Sequence, residues 1–94
     1  MKIIKIDKRY KVSDTGYTAA FRFDGFTSEA AGIEWWCRDN IGAMDWGYGA
    51  ADSIVTQWRG YFGRAPKKNA PRPYYIAFKN EAFISSILLV KDNL

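Results

Sequence analysis

Residues 1–23 read MKIIKIDKRYKVSDTGYTAAFRF, and this stretch decides the fold because apolar and polar side chains alternate along it. In its first half the apolar residues share one face and the charged residues share the other, a period of two that predicts a half-buried strand. Ser-Asp-Thr-Gly at 13–16 is typical of a turn. A second alternating run over 17–23 follows, so the segment predicts a β-hairpin.

The next segment has the spacing of a helix. Thr27 or Ser28 is a good N-cap, and Glu29 suits the positive end of the helix dipole. Apolar residues recur with a period near 3.6 as far as Ile41, and Gly42 stands where a C′ glycine ends a helix. We expect a helix over 28–40, with Trp35 off its apolar stripe.

The second half of the chain repeats these patterns less clearly. Residues 51–62 match a helical period and predict a second helix, although their β-branched residues also suit a strand. Residues 63–73, GRAPKKNAPRP, contain three prolines and four basic residues and predict an exposed, basic loop. Residues 74–79 alternate as a strand. Residues 83–90 have helical spacing, with a strand as the competing interpretation.

The predicted element order is β-β-α-α-β-α in a single domain over residues 1–94. About three antiparallel strands would pack one apolar face against two to three helices, which gives a small α+β two-layer sandwich. A chain of this length is enough for one hydrophobic core. Aromatic residues make up 17% of the chain, more than such a core needs, so some rings are expected at the surface.

Composition excludes several classes of protein. A single cysteine, Cys37, rules out a disulfide framework within one chain and a cysteine-based zinc site. No apolar stretch approaches the roughly 18 residues of a membrane span, and the charged N-terminus does not resemble a signal peptide. We therefore expect a cytoplasmic protein that binds no membrane.

Catalysis is not expected. The chain contains no histidine, so the usual proton shuttle and every Ser/His or Cys/His nucleophile pair are missing. The carboxylates are scattered, and neither a calcium-loop nor a Walker phosphate-loop pattern occurs. Asp45 and Asp52 are best interpreted as turn and cap residues, and Cys37 as a small buried hydrophobe. We expect no cofactor and no metal.

Two surfaces are candidates for binding. The first combines acidic and aromatic side chains on helix one and the glycine-rich loop after it, as in protein-binding hot spots. It consists of Glu34, Trp35, Asp39, Asp45, Trp46 and Tyr48. An acidic rim suits a partner with a basic surface, such as a nucleic-acid-handling protein. The exposed tryptophans would serve equally as a homodimer face. The alternative is that Trp46 and Tyr48 fold back over the core.

The second surface combines basic and aromatic side chains near the basic loop. It consists of Arg59, Tyr61, Arg64, Lys67, Lys68, Arg72 and Tyr75. Cations contact phosphates and aromatic rings stack on unpaired bases, so this set predicts a nucleic-acid-binding module. Residues 59–79 carry six basic and no acidic side chains, although the net charge of the whole chain is only +4. Trp58 and Phe62 are expected in the core.

The aromatic glycine loop GAMDWGYG (42–49) and the run YYIAFKNEAF (74–83) give the chain a weak resemblance to small accessory proteins encoded by bacteriophages. The resemblance carries no family-defining motif and assigns no functional residue. It implies a non-catalytic inhibitor or adaptor that docks on a host protein or nucleoprotein complex in the host cytoplasm and blocks or redirects it, as in evasion of host defence. Our first expectation is such a protein-binding role, with nucleic-acid binding as the alternative.

Overall fold

The computed structural model describes residues 1–7, 16–42 and 57–93. Within these residues the chain forms an α+β domain with a four-stranded sheet and two α-helices. The elements are β1 (Lys2–Lys5), β2 (Ala19–Phe23), α1 (Ser28–Asn40), β3 (Trp58–Phe62), β4 (Tyr74–Phe78) and α2 (Ala82–Val90), followed by a 3₁₀ turn (Lys91–Asn93).

The sheet is antiparallel throughout, with the strand order β1-β2-β4-β3. Strands β1 and β2 pair antiparallel, as expected for the hairpin, and Gly16 before β2 has a positive φ of 92°. Residues 8–15, which include most of the predicted turn, lie outside the described residues. Strand β4 lies between β2 and β3, so the connection through α1 is a split β-α-β unit. This topology brings the β3–β4 hairpin to one edge of the sheet and places β4 at its centre.

Both helices cover the same face of the sheet. The core on this face contains strand residues, among them Phe21, Trp58 and Ile76, together with Ile33 of α1 and Ile87 of α2. All five of these side chains are fully buried. Phe21 and Phe78 pack edge to face with their ring centroids 5.9 Å apart. The apolar strand residues on the same face as Phe21 therefore pack against the two helices and form a two-layer core.

The opposite face of the sheet has a second, smaller buried cluster. It consists of Ile6, Tyr17, Ala20, Tyr75 and Ala77. Because β4 has buried neighbours on both faces, all five of its residues are buried. The alternation of residue types in 74–79 therefore predicted the strand but not its two-sided burial.

Helix α1 has the predicted bounds, and its ends have local causes. The side chain of Thr27 accepts a hydrogen bond from the backbone N–H of Ala30 at 3.1 Å, which caps the first turn. At the other end, the N–H groups of Ile41 and Gly42 both donate to the carbonyl of Cys37. Gly42 has a φ of 131°, a conformation that favours glycine, so the predicted C′ position is confirmed.

The helix predicted over 51–62 is wrong where the structure describes that segment. Trp58–Phe62 is an edge strand that pairs antiparallel with β4, and residues 51–56 lie outside the described residues. Backbone hydrogen bonds to β4 outweigh the helical spacing of the apolar residues, as tertiary context commonly does for short segments. The strand count is therefore four rather than three, and the described residues form two α-helices.

The competing interpretations of 83–90 are resolved in favour of the helix, since α2 spans Ala82–Val90. Asn80 precedes it and accepts a hydrogen bond from the N–H of Ala82 at 2.9 Å through its side chain. Ile84 and Ile87 enter the core, whereas Leu89 on the other side of α2 is exposed. Among the described helices, none is both long and apolar enough to cross a lipid bilayer.

Candidate functional site

The β3–β4 hairpin is the part of the described chain that collects basic side chains at one edge of the sheet. Two hydrogen bonds of Gly63 close the base of its loop. The N–H of Gly63 donates to the carbonyl of Pro73 at 2.8 Å. The carbonyl of Gly63 accepts a hydrogen bond from Nε of Arg72 at 3.0 Å. At the tip, the N–H of Ala70 donates to the carbonyl of Lys67, and Asn69 adopts a positive φ of 66°. These bonds give the proline-rich loop a defined path.

The cations of this loop point to solvent. Arg64, Lys67, Lys68 and Arg72 are all exposed, as the sequence predicted for residues 63–73. Arg59, on β3, is half-buried, and its guanidinium lies 5.7 Å from the ring centroid of Tyr61. The hairpin therefore presents exposed positive charge along its loop and a further cation on the strand.

Two tyrosines of the predicted basic-aromatic set stack on each other. Tyr61 and Tyr75 are register partners in β3 and β4, with ring centroids 5.2 Å apart and an interplanar angle of 23°. Tyr75 is only 9% exposed. Its ring is therefore engaged with the second cluster of the sheet, and Tyr75 is corrected from a surface contact to a residue that supports Tyr61.

Two half-exposed rings lie beside Tyr74, on the face of the sheet that the helices cover. Phe62, predicted in the core, is 49% exposed, and Phe26, after β2, is 51% exposed. Each packs edge to face on the buried Tyr74, with both centroid distances equal to 4.8 Å. We call Phe26, Tyr74 and Phe62 the aromatic platform. The guanidinium of Arg72 lies 5.5 Å from the centroid of Phe62, so a cation is fixed beside it.

A buried polar contact holds the platform in place. The hydroxyl of Tyr74 donates a hydrogen bond to Oε2 of Glu34 on α1. Burial raises the pKa of Tyr74, and the hydrogen bond to Glu34 and its charge raise it further, so the phenol stays protonated. Nη2 of Arg38 lies 3.5 Å from the other oxygen of Glu34. The same guanidinium lies between the rings of Trp35 and Trp58, at 5.7 and 5.6 Å from their centroids.

The predicted acidic-aromatic surface is only partly formed by the described residues. Glu34 is 5% exposed and bonded to Tyr74, so the expectation that it lines a binding surface is corrected: the carboxylate belongs to the core. Trp35 is 65% exposed and Asp39 is exposed, in agreement with a position off the apolar stripe of α1. Asp45, Trp46 and Tyr48 lie outside the described residues.

Sequence reasoning missed Phe26, Phe62 and Tyr74 as a unit. Phe62 was placed in the core because the helical period of 51–62 put it on the apolar stripe. Phe26 follows the Asp24-Gly25 turn, where no periodic pattern marks it. The available signal was the strand alternative for 58–62, in which Trp58, Gly60 and Phe62 share one face and Phe62 is the last residue of the strand.

Other site types find little support in the part of the chain that the structure describes. Within it, no cluster of three or more Cys, Asp or Glu side chains could hold a metal ion. A groove of about 300 Å³ lies between the first turns of α1 and Lys91, lined by Ser28, Glu29, Gly32 and Ile33. Comparison of the chain with protein-family models, with curated proteins and with solved structures finds no match.

Proposed function

We propose that the chain is a nucleic-acid-binding module whose contact surface is the β3–β4 hairpin. The observation that carries the proposal is that this one hairpin, with its flanking residues, holds six basic side chains and no acidic one, and exposes its loop cations. Exposed cations gain affinity for a phosphate backbone by releasing its condensed counterions. Arg64, Lys67, Lys68 and Arg72 are assigned to the phosphates.

The rigidity of the loop supports the same function. Its base is closed by the hydrogen bonds of Gly63 with Pro73 and Arg72, and its prolines restrict the backbone further. A loop that is already ordered in the free protein loses less conformational entropy when it binds a ligand. These hydrogen bonds and prolines favour a preformed path for the loop that carries the cations.

The first test is a fluorescence anisotropy titration of labelled DNA and RNA oligonucleotides with the purified protein at roughly 50 and 200 mM salt. With about four phosphate contacts, the affinity should fall roughly 50-fold for a single strand and roughly 150-fold for a duplex between the two salt concentrations. The double variant Lys67→Ala/Lys68→Ala should bind more weakly and with a smaller salt slope, because two of those contacts are removed.

The matched control is Lys2→Ala/Lys5→Ala, which removes the same charge from β1 at the opposite edge of the sheet. Its affinity should stay close to that of the wild-type protein. Equal loss in both double variants would show that only net charge matters, and absence of binding at the lower salt concentration would contradict the proposed function altogether.

A second candidate function is docking on another protein through α1, as an inhibitor or adaptor. The exposure of Trp35 favours it, because a tryptophan that is 65% exposed is a typical anchor of a protein interface. Asp39 is exposed one turn later on the same helix and would contribute a charged rim to that anchor.

The test of this candidate is a Trp35→Ala variant, used beside the wild-type protein as immobilised bait for cell extract. Trp35→Ala should lose the captured partner while its melting temperature stays nearly unchanged, because the side chain is mostly outside the core. Capture of the same proteins by both forms would exclude Trp35 as the anchor.

A further inference from the structure

The aromatic platform specifies which form of nucleic acid the hairpin would bind, an inference that rests on the proposed function. Phe26 and Phe62 are each about half exposed and flank the same ring, that of Tyr74. They come from different segments, one after β2 and the other at the end of β3. The tertiary structure therefore brings two exposed rings together next to a basic loop.

The aromatic platform is anchored to helix α1 through Tyr74. Tyr74 is buried, and its hydroxyl is bonded to Glu34 on α1, so the ring on which both phenylalanines pack is tied to the helix layer. Arg72 is similarly fixed, with Nε on the carbonyl of Gly63 and the guanidinium beside Phe62. Rings that are held before binding can accept a base with little further ordering.

We infer that Phe26 and Phe62, the two exposed rings of the aromatic platform, stack on unpaired bases. The hairpin would then prefer single-stranded nucleic acid to a duplex. Each base has a π-face that stacks on an aromatic ring, and single strands leave those faces accessible. In a duplex the faces are covered by neighbouring base pairs, so only the phosphates remain for the cations. Arg64, Lys67 and Lys68 follow the strand's backbone, and Arg72 lies where backbone and base contacts meet.

The test compares a single strand of roughly 20 nucleotides with a duplex of the same length, as DNA and as RNA, at one low salt concentration. The wild-type protein should bind the single strand more tightly. Phe62→Leu and Phe26→Leu keep an apolar side chain and remove the ring, and each should weaken single-strand binding about fivefold or more. Duplex affinity and the salt slope should stay nearly the same in both variants.

Ile3→Ala is the control, because it removes a half-exposed apolar side chain from β1, at the opposite edge of the sheet from β3. Circular dichroism and the urea midpoint verify that each variant is folded. The comparison of single strand with duplex uses the wild-type protein, so it tests the inference even if a variant fails to fold. Salt-sensitive binding that is equal for single strands and duplexes, or unchanged in both phenylalanine variants, would overturn this inference and leave the proposed function standing. Failure to bind either form at low salt would overturn both.

Discussion

At the scale of single residues, Cys37 behaves as a core residue. Its side chain is fully buried on the helix-covered face of the sheet, as its place on the apolar stripe predicted. Burial, together with the nearby charge of Glu34, raises the pKa of the thiol from 9.0 to about 12. The folded protein therefore keeps a proton on the sulfur at pH values where the unfolded chain releases it.

This difference makes folding stability depend on alkaline pH. Because the folded pKa lies above the unfolded one, the stabilisation is complete below about pH 9 and is lost as the pH rises toward 12. Urea unfolding at a series of pH values should show a steeper loss of free energy for the wild-type protein than for Cys37→Ala. Tyr74 changes stability in the same direction in both forms, so parallel curves would contradict the prediction.

At the scale of elements, the contact between α1 and β3 depends on Gly60. A Cβ built at this position would overlap Oε2 of Glu34 and the hydroxyl of Tyr74. Glycine therefore allows the strand to pass close to the buried polar pair of α1 and β4. The role of this glycine became visible only when the pairing of β3 with β4 was known.

Gly60→Ala should destabilise the protein by about 1–3 kcal/mol, the usual cost of an overpacked core. In an unobstructed strand the same substitution would stabilise, since alanine has less conformational freedom to lose, so the sign of the effect is diagnostic. The measurement is the urea midpoint. Repeating the substitution in a Tyr74→Phe background, which lacks the overlapping hydroxyl, should reduce the penalty, and an equal penalty in both backgrounds would argue against this packing.

At the scale of the whole molecule, the fold collects the basic side chains of one sequence segment at one edge of the sheet. Residues 59–79 are net positive and residues 24–58 net negative in sequence. The fold places the former on a hairpin at one sheet edge and draws one acidic side chain of the latter, Glu34, into the core. That burial removes a carboxylate from the predicted acidic-aromatic surface, and for this reason we propose nucleic-acid binding ahead of protein docking.

Local patterns by themselves predicted the pairing of β1 with β2, helix α1 with a cap at Thr27 or Ser28 and an end at Gly42, and strand β4. They favoured a helix over a strand for α2. In each, hydrogen bonds or side-chain periodicity within a few residues agree with the final structure. The basic, exposed loop over 63–73 was likewise readable from its prolines and cations, since both resist burial.

Only the tertiary structure decided the identity of β3, the burial of Glu34 and the aromatic platform. Each depends on groups distant in sequence: Phe26, Phe62 and Tyr74 come from three segments, and Glu34 meets Tyr74 forty positions away. For the short segment 58–62, helical and strand spacing both accommodate the apolar residues, and hydrogen bonding to β4 selects the strand. That choice leaves Phe62 at the end of an edge strand, half exposed beside Arg72, instead of in the core.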